Sequence, residues 1–349
     1  MKIFVLLNPL SGGGRAKGQK ILIKKLFYTK GHDVELKEIS NFEKDIPKFI
    51  AEYKQGGFEV LAVAGGDGTV RSVINEVIGK DINLVVLPLG TANVFSTEMG
   101  IGSNFRNAAA LLDNGVLRKF DIGKVKSLKE KSDTEKTIDS VKGDIGENFL
   151  LMAGIGFDAE VIKNIVEEWK PKLKEWTYIL SAFVTALKYK YPIFDLEIED
   201  ENGTTIKETS FFTVISNSSY YGGPYPLAFD AKMYDGLLDL VIFKEKGFIN
   251  VMKAAWSLKQ GKFNEYPGVR FMRAKRIKVT PQNINFVSVQ LDGDLWENLP
   301  VEIWLEPSAV GIYIPKAKAA EMDKAAEEPE DVEVENEENI VDEEVAEDK

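Results

Sequence analysis

Val60-Leu61-Ala62-Val63-Ala64-Gly65-Gly66-Asp67-Gly68-Thr69-Val70 decides how the rest of the chain is read. An apolar run short enough for one buried strand stops at two glycines, an acid, another glycine and a hydroxyl; Arg71 to Ile78 then shows helical spacing of apolar residues. That is a strand feeding a tight turn into a helix. Glycine lets a bulky group approach the main chain, and the following helix aims its unpaired N–H groups at the same spot. A phosphate fits there. Asp67 would repel it unless a cation or an acceptor hydroxyl mediates, so the stretch reads as a place where phosphate is handled chemically, with Mg²⁺ or a proton passing through the carboxylate. The plainer alternative is a structural glycine turn with a solvated Asp.

The neighbouring segments repeat the theme. A first strand, Met1 to Leu7, ends in Asn8-Pro9-Leu10-Ser11-Gly12-Gly13-Gly14-Arg15 and leads into a helix over 16–28. A strand near Asp33–Glu38, a helix near Glu43–Tyr53, the central strand at 58–64 with its helix, and a strand at Asn83–Leu87 follow. The last of these ends in Pro88-Leu89-Gly90-Thr91-Ala92-Asn93. Short apolar runs alternating with amphipathic helices predict an open, mainly parallel α/β sheet, in which ligands bind beyond the carboxyl ends of the strands. Three such ends carry glycine with hydroxyl, amide or carboxylate groups, a constellation that a lone glycine loop is not.

After Asp121 the pattern changes to strands with few helices, which predicts a second, β-rich domain. Residues 127–146 read as a charged excursion, and Phe149–Ala153 enters Gly154-Ile155-Gly156-Phe157-Asp158-Ala159, another glycine turn opening a helix. Strand-like segments lie at 193–199, 205–216, 237–243, 276–280, 284–291 and 301–305, with a last short strand at 311–314. The domains expected are 1–121, with 307–316 returning to it, then 122–306, then a tail over 317–349. Asp235-Gly236 and Asp292-Gly293-Asp294 each have the form of a turn at a strand end. Glu167–Tyr191 mixes lysines with Trp and Tyr around an apolar middle; it reads either as a helix lying on an anionic bilayer or as a cover for the β-domain with snorkelling lysines.

The net charge of −11 is unevenly spread: fifteen acidic and three basic residues fall in Ala317–Lys349, so the first 316 residues are close to neutral. That tail cannot bury enough apolar surface to offset its ordering entropy and is expected to be disordered. A nucleic-acid partner fits poorly with a folded part lacking positive excess. Cysteine is absent, which removes disulfides and thiol chemistry, and the single His32 sits in Gly31-His32-Asp33, where a surface turn is expected. No run approaches the ~20 apolar residues of a membrane span. A cytoplasmic protein, at most peripheral at the inner membrane face, is the expectation.

Taken in order, Asn8-Pro9 with Ser11-Gly12, Gly65-Gly66-Asp67-Gly68-Thr69, Pro88 to Asn93, Gly154 to Ala159, Asp235-Gly236-Leu237-Leu238-Asp239 and Asp292-Gly293-Asp294 resemble the diacylglycerol kinase catalytic family, relatives of sphingosine kinases and, more distantly, NAD kinases. The resemblance covers Met1 to about Pro315. It implies an α/β domain plus a β-sandwich holding ATP between them, and transfer of phosphate to a lipid hydroxyl at the membrane surface with Mg²⁺. It implies nucleotide contacts at Asn8, Pro9, Leu10, Ser11, Gly12, Ser40, Gly65, Gly66, Asp67, Gly68, Thr69, Val70, Arg71 and Thr91. It further implies a structural Mg²⁺ at Asp235 with main-chain oxygens of Lys232 and Leu237, and Asp294 as proton acceptor, with Asp67 at the phosphate as the other candidate base. Three positions depart from the family pattern: Asp294 stands where glutamate is common, Arg71 where asparagine is, and Val94 where an acid often follows. A soluble acceptor such as NAD, or a nucleotide-binding regulator without turnover, are the competing readings. The lipid and the oligomeric state, a homodimer included, are left open.

Overall fold

The computed structural model describes residues 1–129, 146–163, 188–223, 225–283 and 286–327. The first unit alternates β1 (Lys2–Leu7), α1 (Lys20–Tyr28), β2 (Asp33–Glu38), α2 (Phe42–Gln55), β3 (Val60–Gly65), α3 (Asp67–Val77) and β4 (Asn83–Pro88). These four strands are parallel in the order β2-β1-β3-β4, and β3 is buried along its whole length. Burial on both faces is why they read as unbroken apolar runs. Three short helices follow, α4 (Val94–Glu98), α5 (Phe105–Ala109) and α6 (Leu111–Asn114), and then β5 (Val116–Ser127) leaves the unit.

The second unit contains β6 (Glu147–Phe149), β7 (Met152–Gly156), α7 (Phe157–Lys163), β8 (Phe194–Glu199), β9 (Thr205–Ser210), β10 (Phe212–Ser216), β11 (Tyr220–Tyr221), β12 (Tyr225–Pro226), β13 (Leu238–Phe243) and α8 (Phe248–Lys259). It continues with β14 (Val269–Ala274), β15 (Arg276–Pro281), β16 (Ser288–Leu291), β17 (Asp294–Asn298) and β18 (Val301–Ile314), and the chain then enters α9 (Lys316–Glu327). One sheet of the sandwich runs β14-β13-β10-β7-β16-β17. The other is formed by β18-β15-β8-β9 and joins the parallel strands through β18 and β4. Val125, Ile155, Leu196, Ile215, Leu240, Ile277, Val289 and Ile303 fill the space between the two sheets.

The expected fold class, α/β followed by a β-sandwich, is the observed one. Four readings of detail change. The strands expected at 301–305 and 311–314 are one strand, β18, which runs antiparallel to β5 from Val301↔Ser127 to Ile314↔Val116, with a shift between Glu306 and Val310. Asp121 accounts for that shift: its carboxylate accepts from Ser308 N at 2.7 Å and from Gly236 N at 2.8 Å, pinning the bulge to the turn before β13. The segment at 205–216 splits at Phe211 into strands of different sheets, a corner held by the Ser210 hydroxyl, whose single O–H is shared between the carbonyls of Phe212 and Phe243, 2.7 and 2.9 Å from its oxygen.

Residues 317–327, expected to open the disordered tail, are helical. Helix α9 buries Ala319 and Met322, three residues apart on one face, and Asp323 pairs with Arg118 at 2.7 Å. Alanine, lysine and glutamate are strong helix formers, and their propensity outweighs the acidity of this stretch. Residues 328–349, like 130–145 of the charged excursion, 164–187 of the basic aromatic segment and 284–285, lie outside the described residues. His32 is not on the surface: it is 8% exposed, packs on Phe27 and meets Asp113 at 3.1 Å.

Glu98 on α4 ties the first unit to the second. It is buried and accepts from the Ser218 hydroxyl, from Ser219 N at 2.9 Å and from the Ser219 hydroxyl at 3.0 Å. Burial pushes its carboxyl up, opposed by these donors. A raised folded-state value means that its contribution to stability is fully present below the unfolded value of about 4.3 and is lost as pH rises through the folded one. Glu98→Gln keeps an acceptor for Ser219 and gives Ser218 a donor, so it flattens the fall in melting temperature with rising pH across that interval. Thermal melts of both proteins at stepped pH measure this.

Candidate functional site

The loops after β1, β3 and β4 meet at the carboxyl edge of the parallel strands. The Asn8 side-chain amide donates to the Thr69 hydroxyl at 2.9 Å while its carbonyl accepts from Leu10 N, so one side chain fixes the first loop to the second. The second and third loops touch through glycine: a Cβ on Gly90 would lie 2.6 Å from the Gly66 Cα, and Asn93 closes the Gly90 turn with its Oδ1 2.8 Å from Gly90 N. Helix α3 starts at Asp67 with no side chain capping it, so its positive end opens here. Between these loops lies a cleft of about 370 Å³ lined by Asn8, Ser11, Phe42, Gly66, Gly68, Thr69, Ser72 and Asp294.

Asp294 arrives from the other unit. Strands β16 and β17 form a two-residue hairpin, with Asp292 and Gly293 both at positive φ (50° and 90°), the geometry that Asp-Gly favours. The two hairpin carboxylates have different jobs. Asp292 is buried and accepts N–H groups from Leu150 (2.7 Å), Leu151 (2.7 Å) and Met152 (3.0 Å), with Arg71 Nε at 4.0 Å. Burial pushes its carboxyl up against the opposing pull of Arg71 and those three donors. The Asp294 side chain is 66% exposed and borders the cleft.

Arg71 spans the two units. From α3 it donates to Leu291 O at 2.7 Å and to Asp294 Oδ2 at 2.8 Å, beside Asp292. Gln290 supports the hairpin from below, accepting from Gly293 N at 2.7 Å and donating to buried Asp158 at 2.6 Å, which also accepts from the Tyr221 hydroxyl. Gly154 makes room for this: a Cβ there would sit 2.0 Å from Asp158 Oδ2. The Gly154–Ala159 motif thus acts as a buttress for the hairpin.

Asp67 is more committed than its sequence context suggests. Its oxygens accept from Val94 N at 2.9 Å and Phe95 N at 3.1 Å, tying the phosphate-type loop to α4; burial pushes the carboxyl up while those N–H groups pull it down. Position 94 serves through its main-chain N–H, which any residue but proline supplies. Asp67→Asn turns an acceptor into an NH₂ group facing one of these donors and costs about 1–3 kcal/mol. Urea unfolding of the two proteins gives the difference directly.

Of the other expected contacts, Ser40 is exposed at the end of β2 with its N–H on Asp45, Thr91 and Leu10 are exposed on their loops, and Val70 is buried in the core beneath the cleft. Gly12 is held by the third loop, its Cβ position 2.6 Å from Leu89 O. Pro9 and Gly65 flank the cleft in sequence. Phe42 and Ser72 were not anticipated; Phe42 follows Asn41, whose side chain caps α2 by accepting from Lys44 N at 3.0 Å.

The turn implied to hold a structural Mg²⁺ through Asp235, Lys232 and Leu237 borders a cavity lined by Asp235, Gly236 and Leu237. Asp235 accepts from Leu237 N at 3.0 Å and pairs with the Arg273 guanidinium at 2.7 Å, with Glu201 also 3.7 Å from Arg273. The Arg273 guanidinium thus gives Asp235 a countercharge built into the chain. Arg273→Ala is expected to lower thermal stability, and paired melts with Mg²⁺ and with EDTA measure the contribution of a metal at the same turn.

A glycine-loop cleft closed by a carboxylate from a β-sandwich defines a two-unit phosphotransferase architecture. Residues 2–125 match the diacylglycerol kinase catalytic domain and residues 152–314 the YegS C-terminal NAD kinase beta sandwich-like domain. The chain belongs to the diacylglycerol kinase catalytic family and is a kinase by that membership. It is 26% identical over 322 residues to the diacylglycerol kinase of Bacillus subtilis (strain 168), covering 91% of this chain and 98% of that protein. It is 27% identical over 317 residues to the diacylglycerol kinase of Mycobacterium tuberculosis (strain H37Rv), covering 90% and 96%. A crystal structure of a diacylglycerol kinase from Bacillus anthracis str. Sterne superposes with a TM-score of 0.64 at 21% identity, covering 90% of this chain and 98% of that one, and a second structure from the same organism reaches 0.69 at 22%, covering 90% and 96%. These two establish the shared fold.

Proposed function

We propose that the chain is an ATP-dependent lipid kinase, passing the γ-phosphate to the hydroxyl of a diacylglycerol-like or sphingoid lipid presented at a membrane surface. The observation that carries this reading is the position of Asp294, brought by the β16–β17 hairpin into the cleft formed by Asn8, Gly66, Gly68 and Thr69. Phosphoryl transfer needs placement and charge stabilisation more than covalent help. Loop N–H groups and the α3 N-terminus supply the charge stabilisation for the nucleotide phosphates, and Phe42 offers a flat apolar surface at the same cleft.

In the transfer itself, the lipid oxygen forms a bond to the γ-phosphorus as the bond to the bridging β–γ oxygen breaks, releasing ADP. The hydroxyl proton passes to Asp294, whose Oδ2 is oriented by Arg71. Asp67, already accepting two N–H groups, positions the loop instead of serving as the base. A Mg²⁺ carried in on the phosphates would neutralise charge on the transferring group. Arg71 and Asp294, both departures from the common family pattern, form one ion pair, so the changes compensate each other.

The test is an unfractionated lipid extract incubated with labelled ATP and Mg²⁺, alongside NAD as acceptor, read by mass spectrometry. Label in a lipid is expected. Label in NAD, or tight ATP binding with no transfer to any acceptor, would replace this reading by one of its competitors.

A further inference from the structure

Helix α8 buries Val251 and Ala254 in the core cluster that also holds Phe243 and Phe263. Its opposite side is unusual for a surface helix. Ile249 is 67% exposed and Trp256, seven residues on and so on the same side, is 60% exposed. Tyr225 on β12, which packs against α8, is 39% exposed, and Phe229, whose ring lies 5.1 Å from Phe271, is 41% exposed. Of the ten large apolar side chains exposed among the described residues, two lie on this helix and a third, Tyr225, on the strand packed against it.

The charge carried by the helix itself has one sign, with Asp230, Glu245 and Glu265 standing outside it. Lys246, Lys253, Lys259 and Lys262 fall in a stretch, 246–264, without an acidic residue, in a chain whose net charge is −11. Lys253 and Lys259 are exposed, and the Lys259 ammonium lies 5.9 Å from the Trp256 ring. A protein partner of mixed charge has no need of this combination. Apolar and indole side chains ringed by lysines suit a surface with an apolar interior, a polar boundary that accepts Trp, and negative headgroups.

The geometry points to the outer face of α8, with Tyr225 beside it, as the surface by which this protein docks on an anionic lipid bilayer. This rests on the lipid-kinase reading for its purpose but not for its evidence. It assigns the docking to residues 225–262, whereas sequence alone had drawn attention to 167–191. No helix among the described residues is long and apolar enough to cross a membrane, so the contact is an interfacial one.

The test is sedimentation of the full chain with vesicles of phosphatidylcholine alone and of phosphatidylcholine mixed with phosphatidylglycerol. Binding is expected to the mixed vesicles, weakened by salt. Lys253→Glu and Lys259→Glu should each lower the partition coefficient at least about fivefold, and the pair Ile249→Ser with Trp256→Ser roughly tenfold or more. All four positions are solvent-exposed, so melting temperatures should hold, and phosphorylation of a short-chain lipid dispersed below its micellar concentration should be unchanged. Vesicle binding unaffected by all of these substitutions overturns the assignment. So does a shift from dimer to monomer in the Ile249/Trp256 variant with vesicle binding intact, which would make the face an interface between copies. Lysine-dependent vesicle binding by a wild-type protein that phosphorylates no lipid supports this surface while removing the lipid-acceptor reading.

Discussion

Asp294→Asn is expected to lower lipid phosphorylation about 10²–10⁴-fold, the range for loss of a positioned general base, while leaving nucleotide affinity and thermal stability near wild type. The residue touches the cleft but holds up little of the fold. Its side chain is 66% exposed, and its ion pair with Arg71 is of the partly solvated kind that contributes about 0–1 kcal/mol. Asparagine also keeps an oxygen for Arg71. Steady-state turnover, an ATP-binding titration and a melting curve on one preparation separate these effects. A large loss of stability would place Asp294 among the structural carboxylates instead.

Two residues earlier the expectation reverses. Asp292→Ala leaves the N–H groups of Leu150, Leu151 and Met152 without their acceptor and strips a buried countercharge from Arg71. Breaking a buried, hydrogen-bonded charge in this way costs about 3–5 kcal/mol. The hairpin bearing Asp294 then loses its anchor to the start of β7, so activity falls as a consequence of lost structure. Denaturant unfolding gives the size of the effect. Addition of nucleotide should recover part of it, since a ligand that binds only the folded state raises apparent stability.

That contrast could not be read from Asp292-Gly293-Asp294, where the two acids look alike. Their roles are set by which one turns toward β7 and which toward the cleft, and this depends on strands paired far apart in sequence. The glycine loops were legible because each carries its cause locally: an apolar strand stops, glycine permits close approach, and a helix begins. Phe42 and Ser72 line the same cleft without any such local signal. The link from Arg71 to Asp294 crosses 223 positions and has no sequence signature. Asp67 presented a free carboxylate on paper because its partners, the main-chain N–H groups of Val94 and Phe95, belong to a helix of five residues that periodicity does not resolve.

The same limit explains the corrections elsewhere. Composition placed disorder at residue 317, whereas packing of Ala319 and Met322 against the body carries the helix to Glu327. At Asp235, where the family resemblance implied a metal, the guanidinium partner comes from the neighbouring strand β14 and had no signal in the local sequence. His32 looked like a turn residue until Asp113, from α6, closed over it.

The most direct test of the shared cleft compares wild-type and Asp294→Asn protein, with ATP, Mg²⁺ and the best lipid acceptor, for nucleotide binding and for label transfer. Equal nucleotide binding with transfer lost only in the variant is the expected result. Transfer by Asp294→Asn at the wild-type rate would contradict it.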